Sequence, residues 1–327
     1  MIAIASFTQN GRALSQKLQD ALPEESFSVY QNDHKAWIAQ NWQSANLIIY
    51  IGATGIAVRS IAPHIKDKMT DPAVLVLDEH GKNCISLLSG HMGGGNEWTL
   101  KISTLLGATP IITTATDLNC VFAVDIFAKK NHLTIGDRLL AKKVSAQVLN
   151  GEMIPIFSEI PIAGTMPKNL CPAKGHEDFG IYVGISKNSP FKETLHLIPK
   201  ILCVGMGCKK GTSKEKIQAL FDSATTPWLS PAIHSISSVD LKSKEAGFLD
   251  LCQEKNLEFI TYSAQTLLNV AGHFSASPFV EKVVGVSNVC ERSAVKTSGH
   301  TDLLLKKTSR DGVTIAISKK NWSLNYA

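Results

Sequence analysis

Between Ser89 and Glu97 the chain reads Ser-Gly-His-Met-Gly-Gly-Gly-Asn-Glu, its densest run of chemistry-bearing residues. Gly93, Gly94 and Gly95 carry no side chains, so backbone N–H groups there can face a ligand. A helix patterned to open at Asn96 adds partial positive charge behind them. Such a loop, with Ser89 and Asn96 as further polar groups, suits a carboxylate, a phosphate or the oxyanion of an acyl transfer. His91 and Glu97 bracket it as an acid–base pair, and either can be the base. The same residues also suit a turn kept for its geometry, with Asn96 as N-cap and His91 held by a backbone carbonyl.

A second cluster runs from Arg59 to Pro72. Arg59, Lys66 and Lys68 supply cations near strand ends, with Asp67 and Asp71 to hold them. Taken alone, these are also ordinary surface charges. A third stretch, Gly205 to Ser213, has the glycines of a phosphate loop but not the Gly-Lys-Ser/Thr ending of a P-loop. Cys203 and Cys208 have no His or Cys partners at metal-ligand spacing, so no metal site is expected.

The elements that must position these groups follow from the apolar pattern. Ile2–Phe7 and Leu47–Ile51 read as buried strands, and Leu14, Leu18 and Leu22 as one helix face. Pro63 ends the helix that follows Gly55. Ala73–Leu77 and Cys84–Leu88 stand at hairpin spacing. Trp98, Ile102, Leu105 and Leu106 mark a helix that Gly107 stops. A short strand follows near Pro110 to Ile112. Residues 151–200 hold six prolines among short β-like pieces, a connector or small middle module. At Ile201 strand and helix patterns resume, with Thr212 and Glu215 spaced as a capping box. Helices are expected near 242–255 and 287–298, and a last strand near 313–317. The fold class is α/β: two open-sheet α/β units joined by a Pro-rich middle segment. The expected domains are 1–129 with the Gly-rich loop, a variable middle at 130–200, and 201–327.

The composition excludes several classes. A net charge of +5, spread as short lysine pairs, suits small anionic ligands and not nucleic acid. Seven scattered cysteines without framework spacing imply reduced thiols and a cytoplasmic protein. No stretch has the length of a membrane span, and the apolar start ends too soon for a signal peptide.

Taken together, these stretches resemble the cobalt-precorrin-5A hydrolase (CbiG) family. The resemblance runs through Gly52–Arg59, Pro63, Lys68, Asp71–Val74, Leu87–His91, Gly93–Glu97 and Thr113–Asp117. It resumes at Gly205–Thr212, Ser237–Lys242, Glu245, Gly247, Gly285-Val286, Val289–Glu291, Ala294, Lys306-Lys307 and Val313–Ala316. Residues 130–200 carry none of it. Two departures stand out: Gly95 replaces the usual Ala, and Trp98-Thr99 replace small or aliphatic residues.

The resemblance implies a reaction. Water opens the ring A δ-lactone of cobalt-precorrin-5A, a two-carbon unit leaves as acetaldehyde, and cobalt-precorrin-5B forms in anaerobic cobalamin synthesis. Cobalt arrives within the substrate, so no cofactor or metal of the protein's own is implied. The expected partners are this cobalt-corrinoid substrate and, for hand-over, other corrin-pathway enzymes, but not nucleic acid or membrane. His91 or Glu97 is the candidate base, with the N–H groups of Gly93–Gly95 as oxyanion donors. The substrate's acetates and propionates need cations; Arg59, Lys68, Lys209 and Lys242 are the candidates. A non-catalytic corrinoid carrier of the same pathway is the alternative.

Overall fold

The computed structural model describes residues 1–67, 70–119, 121–276 and 285–326. By internal contacts the chain divides into a unit of residues 1–129 and 145–152, and a second of 130–144 and 153–327. Each is described by itself.

The first unit begins β1 (Ile2–Ser6), α1 (Gln9–Ala21), β2 (Phe27–Val29), α2 (His34–Ser44), β3 (Leu47–Ile51), α3 (Thr54–Ile61). It continues β4 (Ala73–Leu77), β5 (Asn83–Leu88), α4 (Gly95–Leu106), β6 (Thr109–Ile111), α5 (Ala115–Leu118) and α6 (Val124–Lys130). The six strands form one sheet in the order β2-β1-β3-β4-β5-β6. β2, β1, β3 and β4 are parallel, β5 is antiparallel to β4, and β6 is parallel to β5. Because β1, β3 and β4 are buried on both faces, they read as unbroken apolar runs. Ile2 and Ile4 pack with Leu18 and Ile102 on one face, and Ala3 and Ala5 with Trp37, Ile38 and Ala57 on the other. α4 ends at Gly107, whose φ of +72° is the left-handed stop that the spacing predicts.

The reversal at β5 decides where the chemistry sits. β5 and β6 have their carboxyl ends at the side where β4 begins, since Leu88 pairs with Val74 and Cys84 with Leu77. The 89–94 loop and the Thr113–Asp117 segment, which leave these two parallel strands, are therefore neighbours. Gly52–Gly55, after β3, lies at the opposite end of the sheet.

Residues 130–200 are more than a connector. β7 (Leu133–Ile135), α7 (Arg138–Leu149), β8 (Ile154–Ser158), β9 (Ile162–Ala163), β10 (Leu170–Pro172), β11 (Phe179–Val183) and β12 (Glu193–Pro199) succeed one another. Five of the strands make a sheet of order β10-β8-β11-β12-β7. Ile198 and Ile185 enter the core of the C-terminal sheet, and Trp228 donates its indole N–H to the Ile185 carbonyl (2.8 Å). Apart from residues 145–152, this segment and the C-terminal region thus share one compact unit.

The rest is β13 (Leu202–Cys208), α8 (Lys214–Leu229), β14 (Ile233–Val239), α9 (Ala246–Lys255), β15 (Glu258–Tyr262) and α10 (Ala264–Leu268). Then come α11 (Cys290–Ser298), β16 (Leu303–Arg310), β17 (Val313–Lys319) and β18 (Leu324–Asn325), which pairs with β9. The sheet order is β15-β14-β13-β17-β16, with β13, β14 and β15 parallel. α8 and α9 fill one face through Ile217, Phe221, Phe248 and Leu251. α11 lies so close to β13 that a Cβ on Gly205 would stand 1.8 Å from the Cys290 carbonyl oxygen.

Candidate functional site

In the first unit the groups gather around His91. Its Nε2 lies 2.7 Å from Asp117 Oδ2 and its Nδ1 3.3 Å from Asp125 Oδ2, with Thr116 Oγ1 3.1 Å from Nε2. Hydrogen bonding to Asp125 raises the imidazole pKa most; burial pulls it down, and Asp117 raises it further. Each ring nitrogen of His91 thus stands beside a carboxylate, and the two acids favour its protonated form. Asn96 completes the cluster. It is 5% exposed, accepts from Ser86 Oγ (2.7 Å), and donates through Nδ2 to Thr114 Oγ1 (3.1 Å) and Asp117 Oδ2 (2.8 Å). One oxygen of Asp117 thus takes two donors, while the side chain keeps 35% of its surface accessible.

The sequence reading of the glycines changes here. The N–H of Gly94 donates to the His91 carbonyl (3.0 Å), that of Gly95 to Ser89 (3.2 Å), and that of Asn96 to Gly90 (2.9 Å). Two of the three expected oxyanion donors are consumed by the turn. The glycines are required instead by close packing. A Cβ on Gly93 would lie 2.5 Å from Ser89 Cβ, and one on Gly90 the same distance from Asn96 Oδ1. At Gly95 the nearest atoms would be 3.1–3.3 Å away, tight but close to tolerable. Gly94 (φ +81°), not Asn96, is the N-cap of α4, which frees the Asn96 side chain for Asp117. Ser89 itself has φ +52°, and its buried Oγ has no partner among the described residues.

Among the described residues, the remaining first-unit candidates make no hydrogen bond to this cluster. Glu97 is exposed and accepts no hydrogen bond among the described residues. The Arg59 guanidinium turns back onto the Gly55 carbonyl (3.0 Å), at the start of α3 and the far end of the sheet. Asp71 is buried, and its carboxylate accepts the Lys66 N–H (2.8 Å) to tie the loop before β4. Lys68 lies outside the described residues. A cation that sequence reasoning missed is Lys129 on α6, whose ammonium is 3.3 Å from where a Gly94 Cβ would stand. Asp117 and Asp125 were missed as site residues too. Asp117 ends the Thr113–Asp117 motif, but its distance of 26 residues from His91 gave no signal of contact.

The second unit has its own cavity, about 1030 Å³, at the carboxyl ends of β13 and β14. Open α/β sheets place ligands there. Lys209 and Lys242, both expected from sequence, line it, together with Lys210, Lys244 and Lys307. Lys242 is paired with Glu245 (2.8 Å), which also accepts the Gly211 N–H (2.7 Å). Burial would raise the Glu245 pKa, but these two donors outweigh it and keep the carboxyl below its usual range. Lys242 therefore fixes the 208–212 loop. The expected capping box does not form: Ser213 is the N-cap of α8, and Thr212 Oγ1 donates to the Lys209 carbonyl (2.7 Å). Lys307 is set by a buried acid. Glu291, 1% exposed, accepts the Lys307 N–H (2.7 Å), the Ser275 N–H (2.8 Å) and Asn288 Nδ2 (2.7 Å).

Among known proteins, the family model for the cobalamin synthesis G N-terminal region matches residues 36–117, and that for its C-terminus matches residues 202–318. A cobalt-precorrin-5A hydrolase of Salmonella typhimurium is 34% identical, covering 97% of this chain and 97% of its own length. Another, from Priestia megaterium, is 30% identical, covering 90% of this chain and 84% of its own length. A solved structure of CobE, from the cobalamin (vitamin B12) biosynthetic pathway, is 25% identical over 37% of this chain and 92% of its own, with a TM-score of 0.33. The matched regions contain the Gly-rich loop, Asp117 and every lysine of the second cavity, and the chain belongs to the cobalamin synthesis G (CbiG) family.

Proposed function

We propose that the chain is a cobalt-precorrin-5A hydrolase in which Asp117 is the base. The observation that carries the chemistry is the shared Asp117 oxygen, held by His91 at 2.7 Å and Asn96 at 2.8 Å on a partly accessible carboxylate. His91 has both ring nitrogens engaged, Nδ1 with Asp125 and Nε2 with Asp117, so it is poorly placed to take a proton from water and serves instead to orient Asp117. Water attacks the lactone carbonyl while its proton passes to Asp117. The acyl–oxygen bond then breaks, and the freed alkoxide regains a proton from the carboxylic acid. In the second step that hydroxyl gives its proton back to Asp117 as the C–C bond breaks. The electron pair enters the conjugated macrocycle, and acetaldehyde departs. Water is the only co-reactant this balance requires, and cobalt belongs to the substrate. Six described cysteines are free thiols, which fits a cytoplasmic enzyme. No helix among the described residues is long and apolar enough to cross a membrane.

The test is acetaldehyde release from cobalt-precorrin-5A by the purified chain and by Asp117→Asn. Loss of a general base lowers turnover by about 10²–10⁴-fold, with substrate binding kept. Binding without acetaldehyde release by the wild type would instead support a corrinoid carrier. Normal turnover by Asp117→Asn would remove this residue from the chemistry.

A further inference from the structure

The second cavity has the shape and charge of a site for one chemical class, and none of its residues enters the mechanism above. Its wall is apolar: Val239, Val289 and Val313 are nearly fully buried, and Leu241, 67% exposed, stands at its edge. Its charges are five lysines and one carboxylate, Glu245. Among the described residues Lys209, Lys210, Lys244 and Lys307 have no carboxylate within salt-bridge distance, while Lys242 and Glu245 neutralise each other. A volume of about 1030 Å³ stands at the upper end of the range for small-molecule sites, roughly 300–1,000 Å³. That is more room than a single phosphate, carboxylate or mononucleotide fills. Two backbone features fix the segments that carry Lys209 and Lys307. The hairpin turn Asp311-Gly312 has φ of +51° and +81°, and the Lys209 stem lies over Gly312 within 3.3–3.5 Å of where its Cβ would be. Lys307 is pinned through its N–H to Glu291.

We infer that this cavity binds a tetrapyrrole polycarboxylate, with the ring face against Val239, Leu241 and Val289 and peripheral carboxylates on Lys209, Lys210, Lys244 and Lys307. The inference rests on the corrin-pathway reading for its ligand class. The choice of cation bears on specificity. Lysines are point charges on flexible stems, so they can follow carboxylates whose positions differ between a substrate and its ring-opened product. They gain little from amides or esters at the same positions. The site therefore selects macrocycles whose side chains are still free acids, ahead of any reaction that amidates them.

The experiment titrates the full chain with cobyrinic acid, a cobalt corrinoid bearing free carboxylates, and with its heptamethyl ester, followed by the change in the corrin absorption. The acid should bind at least ten-fold more tightly than the ester, and added salt should weaken the acid alone. Lys209→Gln combined with Lys307→Gln should weaken the acid ten-fold or more. Leu241→Glu, an exposed change that puts a carboxylate at the edge, should do the same. Lys216→Gln, on the exposed face of α8, should leave binding as it was. Equal affinity for acid and ester, or unchanged binding in both cavity variants, overturns the inference. Competition by ATP at matching affinity overturns it as well, since that would make the cavity a general polyanion site. Acetaldehyde release is measured in parallel. If turnover of cobalt-precorrin-5A is intact while the cavity variants bind cobyrinic acid normally, the cavity assignment fails and the hydrolase reading stands. If the cavity variants lose binding but the wild type releases no acetaldehyde, the reverse holds.

Discussion

His91 illustrates how a residue's partners, rather than its type, set its role. A histidine at the edge of a glycine loop reads as a titrating base near neutral pH, because its ordinary pKa is about 6.5. In the fold it meets Asp125 and Asp117, and the two carboxylates together hold the proton on it against the opposing effect of burial. The folded state thus binds this proton more tightly than the unfolded chain does. The stability so gained is complete below the unfolded pKa of about 6.5 and is lost as pH rises through the higher folded value. His91→Asn cannot carry that proton. It should melt below the wild type at pH 6, and the gap should narrow steadily as pH is raised past the folded pKa of His91. Thermal melts of both proteins from about pH 6 to 9 measure this directly. A gap that is constant with pH would mean that His91 is neutral in the fold and only fills space. A second readout separates positioning from packing. His91→Asn should lower turnover with little change in KM if it acts through Asp117.

At the scale of elements, most of the strand and helix framework was legible because it is written in apolar periodicity. The buried runs Leu47–Ile51 and Ala73–Leu77, the β4–β5 hairpin spacing and the stop at Gly107 all appear where the pattern places them. The pattern could not show direction or long-range contact. Nothing local says that β5 runs against β4, yet that reversal sends the start of α3, where the Arg59 guanidinium rests on Gly55, and the His91 loop to opposite ends of the sheet. Local rules also failed where a backbone group found a nearer partner. Thr212 bonds back to Lys209 rather than forward to α8, and the Gly94 and Gly95 N–H groups close their own turn. The Gly205–Gly207 pair is the opposite case: its glycines looked like a phosphate loop, but the first duty of Gly205 is to admit α11. Gly205→Ala would force its Cβ to 1.8 Å from the Cys290 carbonyl and 2.7 Å from Ala294 N, both backbone atoms of α11. Neither can move without lifting the helix, so a loss at or above the usual 1–3 kcal/mol of overpacking, ~3 kcal/mol, is expected. Gly207→Ala meets Thr314 Oγ1 at 3.0 Å and Val289 Cβ at an ordinary 3.9 Å, both side-chain atoms, and should be milder. Urea titrations of the two variants rank them, and equal midpoints would show that α11 is free to shift.

At the scale of the whole molecule, the sequence separates residues 130–200 from the C-terminal region because prolines and short strands break the helical rhythm there. The fold joins them. Prolines mark β8, β10 and β12, parallel members of one sheet, and that sheet shares its core with β13–β17. Composition shifts indicate a change of local structure, whereas a domain boundary depends on which apolar faces meet, and periodicity is silent on that. Two tryptophans report the join. Trp228 packs edge-on with His196 at 4.7 Å and donates to Ile185, while Trp322 meets His132 at 6.2 Å. The partners of both lie within 130–200. A fragment of residues 130–327 contains these two tryptophans and no others, and so does a fragment of 201–327. The longer fragment should keep both indoles in their native surroundings, with blue emission and cooperative unfolding. The shorter one loses Ile185 and Ile198 from its core and uncovers Trp228. Burying a side chain of that size is worth roughly 1.5–3 kcal/mol, so removing two of them takes a large share of the ~5–15 kcal/mol that holds a typical domain. Its emission should shift to the red and its melting temperature fall by ten degrees or more. If the two fragments instead share one emission maximum and one melting temperature, residues 201–327 are a domain in their own right and the boundary near 200 read from the prolines is the true one.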